Sequence, residues 1–352
     1  MKDLHRPIVR ESFGATNEGV PTELITLTNK NGIIAKLTTY GATLTQLHVP
    51  DRDGNLQNIV LGFDNIADYQ KETNPHFGGT IGRYANRIAG GRFVLEGSEY
   101  TLVKNDRQRS SLHGGKVGFD HRVWQVEALE TSDGPAVVFT RTSEHLEEGF
   151  PGKVDIRVTY TLTHNNELKI DYEATTDRPT HVNLTHHSYF NLAGAGNGNV
   201  LQHELMIDAQ QYTPIDEYLI PTGELAPVKG TVFDFTTAKM IGQHIGDLNI
   251  GYDHNFVVAP QRRDVTLVAR AIDQSTGRVL SVFTDEPGLQ LYTAFWLDGT
   301  ITGNGGTYQQ FGGFCLEPQH FPDTPNQPQF PSTILLPGDK YTSSTIYAFS
   351  AR

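Results

Sequence analysis

Along most of the chain, apolar and polar residues alternate with a period of two. Val154-Asp-Ile-Arg-Val-Thr-Tyr-Thr-Leu162 keeps the alternation over nine positions, and after His164-Asn-Asn-Glu167 it resumes at Leu168, Ile170 and Tyr172. Successive side chains of a strand point to opposite faces, so this segment predicts an antiparallel hairpin with one buried face. Similar pairs flank Asn29-Lys-Asn-Gly32, Asp51-Arg-Asp-Gly54 and Gln274-Ser-Thr-Gly277, each rich in residues that close tight turns. Helical spacing is scarce: Asn65 to Glu72 and Thr236 to Ile245 each predict two or three turns. There is no repeat, no low-complexity tract and no composition break. The Pro-rich stretch from Pro318 to Pro337 is punctuated by Phe321, Phe330, Ile334 and Leu335, which predict an ordered loop rather than a linker. The pattern as a whole predicts an all-β chain, a single domain over residues 1–352, built as one large antiparallel β-sandwich.

Composition narrows the partners. The 352 residues suffice for a large core, and all-β sandwiches often pass ~200 residues undivided. A hydrophobic fraction of 37% with 35 Gly and 18 Pro suits many short strands joined by turns. With 28 Lys and Arg against 40 Asp and Glu, the net charge of −12 repels nucleic acid and anionic membranes but is compatible with a neutral substrate. The N-terminus, MKDLHRPIVRESFG, lacks the apolar core of a signal peptide, and no stretch approaches the ~18 apolar residues of a membrane span. The single cysteine, Cys315, excludes an internal disulfide. These features predict a soluble cytoplasmic protein, monomer or homodimer. The sequon Asn183-Leu-Thr185 reads as coincidence in that compartment.

Five segments concentrate polar groups beyond what plain strands need. They are Gly82-Arg-Tyr-Ala-Asn-Arg-Ile88, Leu112-His-Gly-Gly115, Asn183-Leu-Thr-His-His-Ser-Tyr-Phe-Asn191, Tyr252-Asp-His-Asn255 and Phe314-Cys-Leu-Glu-Pro-Gln-His320. Each has an ordinary structural reading when taken singly. Asn86 and Arg87 suit a capped, exposed loop, and the two glycines after His113 suit either a turn or a close backbone approach to a ligand. If Asn183–Asn191 is a strand, His187, Tyr189 and Asn191 share one face and His186, Ser188 and Phe190 the other. Glu317 alternates with Phe314 and Leu316, so it sits near the core, where desolvation makes a carboxylate a better base near neutral pH. Gly194-Ala-Gly-Asn-Gly198 mimics a nucleotide loop but lacks the following Lys-Ser/Thr.

Together with Glu286-Pro-Gly-Leu-Gln-Leu-Tyr292, these motifs occur in the order seen in the aldose 1-epimerase (galactose mutarotase) family, which the chain resembles from about Thr22 to Phe349. The resemblance implies a galactose mutarotase-like supersandwich that interconverts the anomers of a free aldose such as galactose or glucose. It implies Glu317 as general base and His187 as general acid. It places Asn86, Arg87, His113, Asp253 and Gln290 at sugar-contacting positions, with Tyr189 lining the same pocket, and it implies no metal and no cofactor. Two departures from the family pattern, His186 and Ala294-Phe295-Trp296, are expected at the pocket rim, where they would affect sugar preference.

Such residues suit the reaction. One proton leaves the anomeric hydroxyl and another reaches the ring oxygen, each transfer contributing about 10²–10⁴-fold when well positioned. A histidine titrating near ~6.5 serves both directions. Asp253, Asn86 and Arg87 suit neutral hydroxyls, and Tyr189 or Trp296 suits the C–H face of the ring. Three rivals compete. His181, His186 and His187 with Glu317 would ligate zinc or manganese, but on one unbroken strand His181 and His187 lie ~20 Å apart, and His186 and His187 face opposite ways. Asp253 and Glu317 would serve a glycoside hydrolase, whose hallmark is release of free sugar from a glycoside. A non-catalytic sugar-binding sandwich would need neither a base nor an acid. Because no electrons move in the reaction, activity should survive exhaustive EDTA treatment without added nucleotide. Loss in EDTA with rescue by zinc or manganese would revive the metal reading.

Overall fold

The computed structural model describes residues 6–258 and 264–352; residues 1–5, part of the N-terminal stretch considered above for a leader, lie outside that range. Strand makes up 45% of the protein and helix 6%. Three antiparallel sheets dominate. The first is a five-stranded meander of Ile8–Ala15, Pro21–Thr28, Ile34–Thr38, Thr43–Pro50 and Leu56–Asn58. The second has nine strands in the order Gln125–Glu130, Pro135–Ser143, Val154–Leu162, Glu167–Thr176, Tyr341–Ala351, Arg278–Thr284, Thr266–Ile272, Glu204–Ile207 and Lys239–Met240. The third orders Ala226–Pro227, Gln211–Tyr212, Asp253–Val257, Gly288–Tyr292 and Cys315–Gln319. The four hairpins that the alternation predicts are all present.

The alternation also explains the layers. Val158, Tyr160, Ile170, Tyr172, Leu280 and Val282 from the nine-stranded sheet join one buried cluster with Leu27, Leu37 and Leu47 of the meander. Phe256, Leu289, Leu291 and Leu316 of the third sheet enter the same cluster. Two tyrosines bind the layers at their polar tips, which a buried hydroxyl requires. Tyr160 donates to Ala42 O at 2.9 Å, and Tyr347 donates to Leu316 O at 2.9 Å.

The helical expectations shorten. Asn65 caps only Ile66–Tyr69, with Gln70 as the C-cap, and the chain then turns through Lys71–Asn74. The stretch from Thr236 instead adds the edge strand Lys239–Met240 and then a 3₁₀ segment, Ile241–Asp247. Gly242 and Gly246 weaken an α-helix there, and pairing of Lys239 and Met240 with Leu205 and Glu204 supplies the backbone partners instead. Asn183–Asn191 is not one strand. Only Thr180–His181 and Thr185–His186 are extended pairs, and Phe190 bridges Val60 and Phe314. The Pro-rich stretch is ordered, with a 3₁₀ turn at Thr324–Asn326 and a strand at Ile334–Leu335.

The first polar motif is anchored by an arginine. Arg83 is buried, and its guanidinium donates to the carbonyls of Pro151, Gly152, Ser143 and Glu144 at 2.6–3.1 Å. Tyr84 donates to Phe321 O at 2.9 Å. These two fix the loop that carries Asn86 and Arg87. Replacing Arg83 with Met should strand several buried carbonyls at about 1–3 kcal/mol each, for a total loss of at least ~3 kcal/mol in urea unfolding. A loss below ~1 kcal/mol would show that water replaces the guanidinium without cost.

Candidate active site

Asn86, Arg87, His113, His187, Tyr189, Asp253 and Glu317 line one cleft of about 170 Å³. That is small beside the ~300–1,000 Å³ of drug-sized sites and is on the scale of a monosaccharide. Larger grooves, of about 590, 580, 370 and 460 Å³, lie elsewhere, but none of these sets a buried carboxylate against a histidine. The third sheet supplies the floor. Its register places Asp253 opposite Tyr292 and Cys315, and Asn255 opposite Gln290 and Glu317. Cross-strand neighbours share a face, so these polar side chains turn to the cleft side while Phe256, Leu289, Leu291 and Leu316 turn to the core.

Each group is held by a nameable partner. Arg87 Nε donates to Asp106 Oδ2 at 2.8 Å, and its Nη1 lies 3.5 Å from Asp253 Oδ2. Gln290 Nε2 donates to Asp253 Oδ1 at 2.7 Å, so Gln290 stands one layer behind the cleft wall and orients Asp253. The backbone N–H of Asn86 donates to His113 Nδ1 at 3.2 Å. His113 Nδ1 is thus the acceptor, and its Nε2–H is the donor left for a ligand. Asn86 and His113 both adopt left-handed backbone conformations, with φ of 66° and 53°. Such strain gathers at functional sites. The glycine after His113 serves packing rather than ligand approach, since a Cβ on Gly114 (φ +86°) would collide with Gly82 O. That contact clamps the second motif onto the first.

Glu317 and His187 face each other, with Oε2 and Nε2 3.6 Å apart. Oε2 is buried and has no hydrogen-bond partner among the described residues. Burial pushes the Glu317 carboxyl well above the usual carboxylate range, Asp253 pushes it further, and Arg87 pulls it back. His187 departs from the expected ~6.5: burial draws it down to about 3, with His76 contributing in the same direction. The single proton of the pair therefore belongs to the carboxyl group. Burial also raises the Cys315 thiol, which stays protonated 3.6 Å from His187 Nδ1. This weak contact favours the tautomer with the proton on Nε2, toward Glu317.

His187, Cys315 and Glu317 bring one potential ligand atom each within 4.8 Å, as do His76, Asp120 and His121. The rival metal set disperses. His181 bonds Thr333 Oγ1 at 2.8 Å, and His186 turns inward to Ser188 Oγ at 2.7 Å and to the Tyr160 ring. His186 is thus a core residue and not part of the rim. Asn191 also leaves the predicted face, donating to Gly312 O at 3.0 Å. Tyr189 stacks on His187, with ring centroids 5.1 Å apart, and its hydroxyl donates to Pro75 O. Trp296 is 57% exposed at the rim. His76 and Tyr292 also line the cleft, and Asp106 braces it. Tyr292 closes the Glu286–Tyr292 motif, which assigns it no role, and the sequence offered no signal for the other two: a lone histidine after Pro75 and a turn aspartate carry no distinctive spacing.

A sequence profile described as aldose 1-epimerase matches residues 23–348. The chain belongs to the aldose 1-epimerase family. It is 44% identical over 345 residues to the galactose mutarotase of Mus musculus, covering 97% of this chain and 98% of that protein. It is 36% identical over 351 residues to the aldose 1-epimerase of Escherichia coli strain K12, covering 98% and 100%. The crystal structure of an aldose epimerase homologue from C. elegans superposes with a TM-score of 0.85 at 32% identity, covering 94% of this chain and 99% of that one. Membership gives the cleft a test. Asp106→Ala would free Arg87 from its brace, so the epimerase KM for aldose should rise about tenfold or more with kcat within about threefold, by coupled-enzyme or polarimetric assay. An unchanged KM would remove Arg87 from sugar binding.

Proposed function

We propose that this cleft opens and recloses the ring of a free hexose such as galactose or glucose, with Glu317 as base and His187 as acid. As a family member the protein is an epimerase that interconverts α and β anomers. The observation carrying the assignment of roles is the buried, unpartnered Glu317 Oε2 facing His187 Nε2 at 3.6 Å in a monosaccharide-sized cleft.

In the reactive form the carboxylate faces the anomeric O1–H and the imidazolium faces the ring oxygen. Glu317 takes the O1 proton, the C1–O5 bond breaks as C1=O1 forms, and His187 delivers its proton to O5. Rotation about C1–C2 and reversal of both transfers yield the other anomer. His113 Nε2–H and the Arg87 guanidinium donate to sugar oxygens, and Asp253 accepts from a hydroxyl. A glycosidase reading suits Asp253 less well, because Gln290 and Arg87 already occupy its two oxygens. Trp296 at the rim offers a face to the sugar's C–H groups.

Glu317→Gln should cut kcat by about 10²–10⁴-fold while the sugar still binds, and His187→Asn should act on a similar scale. The double variant should fall far short of the product of the two losses. Polarimetry of fresh α-glucose and α-galactose, beside a melting curve, decides the matter. A folded Gln variant with full activity overturns the assignment. The pH profile adds a second check. Activity requires one proton on the pair, so kcat/KM should hold from just above His187's value of about 3 until pH passes the raised value of Glu317. Asp253 raises Glu317, so Asp253→Asn should move the alkaline fall to lower pH as well as weaken binding.

A further inference from the structure

We propose that His76 is a further sugar-contacting residue of this cleft, its Nε2 accepting a hydrogen bond from one ring hydroxyl and Asp120 fixing its tautomer. The inference rests on the sugar reading of the cleft and adds to it a specificity contact that no sequence motif carries.

Four observations converge on this residue. The His76 side chain lines the cleft and is 24% exposed, so one edge of the ring reaches it. The other edge is buried: Nδ1 lies 2.6 Å from Asp120 Oδ2, whose carboxylate is 3% exposed. Burial alone would raise Asp120, but His76 and His121 beside it hold it well below the usual range, so it is an acceptor only. With a single proton on the ring, that proton sits on Nδ1 as the donor to Asp120, and Nε2 is then an acceptor with no hydrogen bond among the described residues. His121 Nδ1 lies 3.0 Å from Asp120 Oδ1, misaligned for a hydrogen bond, and offsets the buried charge from the far side.

The backbone is shaped to the same end. His76 has φ 65°, beside 66° at Asn86 and 53° at His113, so three cleft residues hold left-handed conformations that non-glycine residues avoid. The turn is tied to the proposed acid by two backbone hydrogen bonds, Gly78 N–H to His187 O at 2.9 Å and His187 N–H to Gly79 O at 3.0 Å. The His76 ring stacks at 27° on His187, with centroids 5.9 Å apart, and meets the His113 ring edge-on at 4.8 Å. A structural histidine needs only the Asp120 contact. The strained backbone and the free ring edge at the cleft are explained by a ligand. The chemistry also fits the wall, where Arg87 and His113 Nε2–H are donors and Asp253, shared with Gln290 and Arg87, is the other acceptor.

His76→Phe keeps a ring to stack on His187 and His113 but removes Nε2. Initial rates by polarimetry would be compared for wild type and variant on the parent hexose and on its 2-, 3-, 4- and 6-deoxy forms. KM for the parent should rise about threefold to tenfold with kcat within about threefold. One deoxy sugar, lacking the hydroxyl that His76 holds, should show the same KM in both proteins. His76→Gln, which keeps an acceptor, should recover most of the lost affinity even if the Phe variant folds poorly. A parent-like KM in His76→Phe, or an equal penalty for every deoxy sugar, overturns the inference while leaving the epimerase reading intact. Wild-type protein that epimerises none of these sugars overturns the underlying reading instead, and equilibrium binding of the same series then decides on His76.

Discussion

The arrangement depends on keeping one carboxyl group dry and unpaired on a central strand. Taking an isolated carboxylate out of water is costly enough that such a group holds its proton instead. Glu317 can sit there because its own strand gives every second residue to the core. Leu316 packs inward beside Leu289 and Leu291, and Glu317 turns outward beside Gln290 and Asn255. A register slip of one residue would send Glu317 into the core and Leu316 into the cleft, so the apolar packing that stabilises the sandwich also aims the proposed base. Fold and chemistry share one constraint.

The same dryness orders the protons along the proposed reaction. Before ring opening, the base must be charged and the acid protonated; after it, Glu317 carries the sugar's proton and His187 is neutral. That second state is the one the cleft favours by itself, since burial raises Glu317 and lowers His187. With these roles, the cleft would favour the protonation state that accompanies the open-chain aldehyde, the species that is scarce in water. Proton transfer from the sugar to Glu317, together with delivery of the His187 proton to O5, would relieve both desolvated charges, which is the sense in which an enzyme complements the reacting species rather than the resting substrate. Full solvation of both groups would remove this bias.

Much of this was legible in the sequence, and the gaps have physical causes. Period-two alternation marks strands wherever one face is dry, so Val154–Leu162 and its partner read directly. It fails at Asn183–Asn191, because burial on all sides leaves no polar face to alternate with, and the backbone there bonds to loops rather than to one partner strand. Even so, the opposite aim of His186 and His187 survives, since a single extended step at Thr185–His186 is enough to set it. The motif residues of the cleft stood out through the order of their motifs, which resembles that of the family, since each segment alone has an ordinary structural reading. His76 and Asp106 did not, because their contacts are with the distant partners Asp120 and Arg87, and contact between remote segments leaves no spacing to read.

The two departures from the family pattern now separate by position. His186 hydrogen-bonds Ser188 and packs its ring on Tyr160, whose hydroxyl in turn reaches Ala42 O and Thr80 Oγ1. It therefore belongs to the joint between the nine-stranded sheet and the meander, where a change alters stability first and the cleft only through the backbone of its neighbour. Ala294-Phe295-Trp296 lies at the mouth. Ala294 is buried with a left-handed φ of 48°, and Trp296 stands largely exposed with the Arg107 guanidinium 5.8 Å from its ring. An aromatic face held over an opening by one cation is a surface for the apolar side of a sugar ring. Epimers differ in which hydroxyls interrupt that side, so of the two departures only Trp296 lies where it could meet the sugar, while His186 is buried in the core.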